Sequence, residues 1–150
     1  MELGKDNLLL NTMCKAGTVF RDNHLLCGLN LAELFACHAV SVRAKMNKST
    51  QPKDLAECLE ISKPGISKLL NGMEKKGLVR RERRANDRKA VYVALTDKAV
   101  STLEEQRATA AVLTKKVFAE MGMEKAKEML SLLNLFYDSY KKAEATLWEN

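Results

Sequence analysis

Basic side chains are concentrated between Lys63 and Lys89. This stretch of 27 residues carries ten lysines and arginines against three acidic residues, a net charge of +7, whereas the rest of the chain carries 15 basic and 16 acidic residues. The whole chain has a net charge of +6, so one segment holds all of the excess. Because each phosphate that is neutralised by a basic side chain releases counterions, the cluster predicts a phosphate-binding surface rather than a merely solvated face.

Small and hydrogen-bonding side chains accompany these charges, and they could approach the edges of DNA bases in a major groove. They are Ser62, Lys63, Pro64, Gly65, Ser67, Lys68 and Asn71. A second group is strongly basic and could contact phosphates or an adjacent groove. Its members are Arg80, Arg81, Arg83, Arg84, Asp87, Arg88 and Lys89.

Two short helices that meet at an angle must position the first group. Thr50 is predicted to cap a helix that has Pro52 in its first turn and ends near Leu59, and Ser62 caps the next. The second helix has apolar residues on one face and ends at Gly77, where a left-handed backbone costs little. The apolar residues are Ile66, Leu69, Leu70 and Met73. This pattern is typical of a helix-turn-helix.

A β-hairpin must position the second group, because the hydrophobic period changes after Gly77. Val91, Val93 and Leu95 alternate with other residues, and residues 85–87 form the predicted turn. The predicted fold is therefore mainly α (α+β), a winged helix-turn-helix at 31–96 with a small hairpin wing.

Long amphipathic helices are predicted on both sides of this domain, at 1–30 and 97–150. Leu10, Met13, Gly17, Phe20, His24 and Cys27 mark the first, ending at Gly28, and Leu31 to Met46 is apolar on most of its surface, as in a central helix. Thr96 caps a fifth helix and Gly122 separates it from a last one. Such faces need a partner surface, so we expect the ends to pack together and to continue into a second subunit, although packing within a monomer is the alternative.

The ordered series from Thr50-Gln51 through Ile61-Ser62, Gly77-Leu78-Val79 and Asn86-Asp87-Arg88-Lys89 to Leu95-Thr96 resembles the MarR family of transcription regulators. The resemblance implies a homodimer joined through its terminal helices that binds a pseudo-palindromic DNA operator and usually represses transcription. It adds Thr50 and Gln51 to the DNA-binding residues named above.

The wing departs from the family pattern. Members commonly have Asp-x-Arg there, with the arginine in the minor groove, whereas this chain has Asp87 and Lys89 in those places with Arg88 between them. Lysine keeps the charge but loses the planar fork, so Arg88 or Arg84 is a candidate substitute.

The family resemblance also implies a small aromatic or lipophilic effector, for which the candidate ligand residues are Phe20, Phe35, His38 and Arg43. Four cysteines lack metal-ligand spacing and are mainly packing residues, and Cys14 is the candidate for an alternative, redox-sensing function. A zinc site built from His24, Cys27, Cys37 and His38 is disfavoured, because adjacent residues point to different sides of a helix.

Other functional classes find little support. The chain has no glycine-rich phosphate loop and no nucleophile pattern, so we expect neither an enzyme nor a cofactor. A winged helix that binds only proteins would not need the basic cluster. A signal sequence and a long apolar run are missing from the sequence, so we expect a cytoplasmic protein without a membrane partner.

Overall fold

The computed structural model describes residues 11–12, 14–18, 26–84 and 87–148, except for the side chains of 84, 87–89, 147 and 148. Its helices and strands are α1 (Leu31–Lys45), α2 (Pro52–Leu59), α3 (Lys63–Lys75), β1 (Val79–Arg84), β2 (Asp87–Leu95), α4 (Asp97–Met121) and α5 (Met123–Trp148). Helices with a single antiparallel hairpin confirm the predicted fold class. No helix among the described residues is long and apolar enough to cross a membrane.

The predicted first helix lies largely outside the described residues, which include helical pieces at 11–12 and 14–18 and the end of the segment from residue 26. Cys27 and Gly28 both have a positive φ, 48° and 77°, so the backbone turns at the predicted stop. Asn30 then caps α1: its side chain accepts from the Glu33 amide, and the Glu33 carboxylate accepts from the Asn30 amide.

Helix α1 is buried on one side and exposed on the other. Ala36, Cys37 and Val40 lie in the core, but Phe35 is 50% exposed and Val42 is 38% exposed in the single chain. The prediction that protein surrounds this helix is therefore met on one face only. The small side chains supply the packed face, and the bulkier Phe35 is left outside it.

The cap of α2 corrects one prediction. Gln51, not Thr50, is the N-cap residue, and its amide donates to Asp54 Oδ2 over 2.8 Å. Helix α2 ends at Leu59 and is followed by the C-cap residue Glu60, whose backbone is left-handed (φ 52°, ψ 39°). Helix α3 begins after Ser62, whose hydroxyl accepts from the Gly65 amide. One left-handed residue thus suffices to redirect the chain between the two helices.

One hydrophobic core joins α1, α2, α3, the hairpin and the start of α4. The predicted buried face of α3 is confirmed, with Leu69 partly buried at its edge. The core comprises Leu29, Ala36, Cys37, Val40, Leu55, Ile66, Leu70, Met73, Leu78, Val79, Val93, Ala99 and Leu103. Helix α3 is therefore fixed through one face, which leaves its opposite face free for binding.

The hairpin is anchored at its base. Gly77 has φ 67° and ends α3 as predicted, and the Thr96 hydroxyl donates to the Gly77 carbonyl over 2.6 Å. Val93 pairs with Arg81 across the hairpin, and its amide donates to the Thr50 carbonyl over 2.8 Å. Hydrogen bonds thus connect the base of the wing to the end of α3, to the α1–α2 loop and to the residue that precedes α4.

The chain divides into two compact units, residues 1–109 and 110–150, and the division lies inside α4. In the second unit, Gly122 (φ 83°) separates α4 from α5 as predicted. Large apolar side chains there are about half exposed or more in the single chain. On α5 they are Leu130, Leu132, Leu133, Leu135, Phe136, Tyr137 and Tyr140. These residues leave much of α5 without a covering surface.

Candidate nucleic-acid interface

The outer face of α3 brings most of the first predicted group together. Ser62, Lys63, Pro64, Ser67, Lys68 and Asn71 are all exposed. Six residues of this helix line an open groove along it: Pro64, Ser67, Lys68, Asn71, Gly72 and Lys75. The face combines hydroxyl, amide and ammonium groups, which can donate to base edges and phosphates.

Gly65 has a packing role that sequence reasoning missed. A Cβ at this position would lie 2.6 Å from Ile61 Cγ2 and 3.2 Å from Ser62 Oγ. Because Ile61 is β-branched and lies in the turn before α3, it cannot easily move away. Gly65 therefore allows the first turn of α3 to pack closely against the turn that precedes it. From the sequence, Gly65 had been predicted instead to allow a close approach to DNA.

Lys76 belongs to the basic cluster by sequence but holds α3 against α1. Its Nζ lies 2.7 Å from Glu33 Oε1 and 2.9 Å from Glu33 Oε2, and the Glu33 side chain is only 5% exposed. The Lys98 ammonium group also donates to the Lys76 carbonyl. The charge of Lys76 is thus compensated within the fold, and the cluster available to DNA is smaller than the count suggests.

Arg81 on β1 likewise turns toward protein. Its Nη1 donates to Asn71 Oδ1 over 2.8 Å and to Glu74 Oε2 over 2.7 Å, and its amide donates to Glu74 Oε1. Arg80 pairs with Glu82 and donates to the Leu95 carbonyl. Both guanidinium groups have partners within the fold, and their predicted phosphate contacts remain predictions.

Arg83 is exposed and lies where the hairpin register shifts, between Glu82 and Arg84. It remains a predicted phosphate contact. The side chains of Arg84, Asp87, Arg88 and Lys89 lie outside the described residues, as do Ala85 and Asn86, so the predictions for the wing tip fall there too.

The two residues before α2 differ in their burial. Thr50 is 3% exposed and is enclosed by the fold, so its side chain is not on the surface that the outer face of α3 presents, and its predicted DNA contact remains a prediction. Its neighbour Gln51 is half-buried at the start of α2 and keeps its predicted role only as a proposal.

Arg43, a candidate effector residue, connects α1 to α2. Its Nη2 donates to Asp54 Oδ2 and to the Ser49 carbonyl, each over 2.8 Å. Phe35 and His38 are exposed on α1, one turn apart, and Phe20 lies outside the described residues. The structure therefore assigns the Arg43 guanidinium a bracing contact and does not bring it together with Phe35 and His38.

The four cysteines have different environments. Cys14 and Cys58 are exposed, Cys27 is half-buried and Cys37 is buried. Burial, with a smaller contribution from Glu33, raises the pKa of the Cys37 thiol to about 11. Burial, with Glu105, also raises the pKa of Cys27. Among the described residues, which do not include His24, no three metal-binding side chains gather.

Cys37 is expected to resist alkylation in the folded protein. With a pKa of about 11, only about one thiol in a thousand is ionised at pH 8, and burial blocks access to it. Iodoacetamide labelling followed by peptide mass spectrometry should modify Cys14 and Cys58 first. Labelling in denaturant is the control, and equal labelling of Cys37 and Cys58 in the folded state would contradict the burial of Cys37.

These features define a winged helix-turn-helix protein: two helices joined by a short turn, a solvent-facing second helix and a hairpin that follows it. Residues 28–90 match the model of the MarR family. The chain is 25% identical over 101 residues to the transcriptional repressor MprA of Escherichia coli K12, an alignment that covers 65% of this chain. The chain spans 57% of the length of that curated relative.

Two solved structures of proteins bound to DNA share the fold. The transcriptional repressor CouR, bound to a 23-mer DNA duplex, matches with a TM-score of 0.70 and 23% identity over 91% of this chain and 98% of that chain. Streptococcus pneumoniae FabT in complex with DNA matches with a TM-score of 0.74 and 18% identity over 95% and 99%. These comparisons show that residues 28–90 are similar to the MarR family and that the chain shares the fold of CouR and FabT.

Proposed function

We propose that the chain is a sequence-specific transcription regulator that binds double-stranded DNA as a homodimer and represses transcription. The observation that carries the proposal is the outer face of α3, where Ser67, Lys68 and Asn71 are exposed on a helix whose other face is fixed in the core. Such a helix fits a major groove, and its backbone N–H groups at the start add to the attraction for phosphate. The DNA complexes of CouR and FabT, which share this fold, support the proposal.

The second unit supports a homodimer. Side chains such as Leu133 (56% exposed) and Phe136 (51% exposed) would be unfavourable in water, and covering them with a second copy removes that cost. A dimer presents two α3 helices, which would read two half-sites of a pseudo-palindromic operator about one helical turn apart.

A groove in the first unit supports a small-molecule effector. Its volume is about 480 Å³, and Lys45, Lys48, Tyr92 and Val100 are among the residues that line it. Lysines beside aromatic and apolar surface suit a lipophilic acid. Tyr92 lies on β2, so a bound acid would act on the wing strand directly. This groove is an alternative to the predicted set of Phe20, Phe35, His38 and Arg43 as the effector site.

Substitutions on α3 and on β1 are expected to affect DNA binding differently. Ser67→Ala and Lys68→Ala should lower the preference for operator over scrambled DNA, whereas Arg83→Ala should weaken both alike and reduce the salt slope by about one unit per protomer. The operator is first selected from a random duplex pool and then titrated in gel shifts at several salt concentrations.

Equal losses on operator and scrambled DNA for all three variants would contradict these roles. Failure of the wild-type protein to enrich any duplex would overturn the proposed function itself. Asp138→Asn, a substitution of an exposed residue on α5, serves as the control for general effects of substitution.

A further inference from the structure

We propose that Arg81 orients the side-chain amide of Asn71 so that Asn71 presents hydrogen-bond donors to DNA and selects guanine at one position of each half-site. The inference rests on the proposed DNA-binding function and deepens it, because it assigns a base preference to a particular residue. It depends on contacts among three side chains, Asn71 and Glu74 on α3 and Arg81 on β1.

Glu74 fixes the position of Arg81. The carboxylate of Glu74 accepts from the Arg81 side chain at Oε2 and from the Arg81 backbone amide at Oε1. Both side chains are about one third exposed, 30% for Arg81 and 32% for Glu74, so the pair lies at the boundary between α3 and the hairpin. The bond from the backbone amide holds the Glu74 carboxylate beside β1, and the guanidinium group of Arg81 donates to that same carboxylate, which restricts where the guanidinium group can lie.

This restricted guanidinium group determines which end of the Asn71 amide faces it. A guanidinium has donors and no acceptor, so the Asn71 atom 2.8 Å from Arg81 Nη1 must be the oxygen Oδ1. An inverted amide would place two donors against each other. The NH₂ group of Asn71 is therefore directed away from Arg81.

Asn71 lies where it can reach a base. It is exposed and lines the same open groove as Ser67 and Lys68, the two residues one turn before it on the outer face of α3. The neighbouring Gly72 also lines this groove and has no side chain to obstruct an approaching duplex.

The chemistry of the base edges decides the preference. An asparagine reads adenine by donating to N7 and accepting from the N6 amino group, which needs a free oxygen. Here Arg81 already donates to that oxygen and places a positive charge beside it, which opposes the approach of an amino group on adenine or cytosine. Guanine presents two adjacent acceptors, N7 and O6, so it is the base that best fits the free NH₂ group.

The test starts from the duplexes that the wild-type protein selects from a random pool. A guanine should be enriched at one symmetry-related position in each half-site, and Asn71→Ala should remove that preference alone. Replacing this guanine by 7-deazaguanine, which lacks the N7 acceptor, should weaken wild-type binding about 10-fold per half-site and should leave Asn71→Ala binding unchanged. The probe alters the DNA only, so it does not depend on the folding of a variant.

Arg81→Ala tests the orienting role. Freed from the guanidinium group, the Asn71 amide can use its oxygen, and the selected base should shift from guanine toward adenine. Arg83→Ala, an exposed arginine on the same strand, is the matched control and should retain guanine. Circular dichroism melts confirm that both variants are folded.

The outcomes separate the two proposals. If the protein selects a duplex but Asn71→Ala has the same base preferences as the wild type, the inference about Asn71 is overturned and the DNA-binding function stands. If Asn71→Ala loses the guanine while Arg81→Ala retains it, the orienting role of Arg81 is overturned. If no duplex is selected, the proposed function is overturned.

Discussion

Lys76→Ala is expected to lower the free energy of unfolding by about 1–3 kcal/mol. The substitution removes the ammonium group that lies 2.7 Å from Glu33, whose carboxylate is almost completely buried. Because Lys76 is half exposed, we expect a smaller loss of unfolding free energy than for breaking a fully buried ion pair. The Glu33 carboxylate retains its contact with the Asn30 amide, which limits the loss further. Urea unfolding measures the change.

Lys75→Ala is the matched control, because Lys75 is an exposed lysine at the neighbouring position of α3. It removes the same charge and should change the free energy of unfolding by less than about 0.5 kcal/mol. It should, however, weaken DNA binding, because Lys75 lines the outer groove of α3. Equal destabilisation by the two substitutions would show that Lys76 has no special role in joining α1 and α3.

The double substitution Leu133→Asp with Phe136→Asp is expected to abolish dimerisation and to reduce operator affinity at least 100-fold. Two carboxylates on the apolar face of α5 cannot be covered by a second copy without losing their hydration. A monomer contacts one half-site only, so it loses the second recognition helix and the gain in effective concentration that the dimer provides. Sedimentation velocity and operator titration measure the two effects.

Ser131→Asp with Asn134→Asp is the matched control for the added charge. It introduces two carboxylates on the same helix, at residues that are already polar and exposed. This variant should remain dimeric and should bind the operator within about threefold of the wild type. If the Leu133 and Phe136 variant remained dimeric, the apolar face of α5 would not be the interface between copies.

Local patterns predicted most of the winged helix. The apolar residues of α3 and the change of period after Gly77 depend on neighbours within a few positions, and the structure confirms both. The cap of α2 shows the limit of such reasoning. Thr50 and Gln51 are adjacent, and the structure uses Thr50 for a carbonyl contact to Val93, which no local pattern reveals.

The candidate site was less predictable, because pairing across the fold decides which charges remain free. Lys76 and Glu33 are 43 positions apart in the sequence, and no pattern in the residues around them predicts their contact. Arg81 was predicted to contact DNA, but its guanidinium group donates to Asn71 and Glu74 and so supports the position of Asn71. Sequence reasoning located the basic segment but could not tell which of its residues are free to contact DNA and which form contacts within the protein.

The bond from the Val93 amide to the Thr50 carbonyl has a consequence for how copies of the chain can associate. A two-stranded sheet has two open edges, and an open edge invites a strand of another molecule. Here the α1–α2 loop occupies the outer edge of β2 at Val93, near the base of the wing, so another chain cannot add a strand along the whole length of that edge. Edge-to-edge growth is blocked on that side of the wing, which favours closed assemblies formed through helices over open-ended strand pairing.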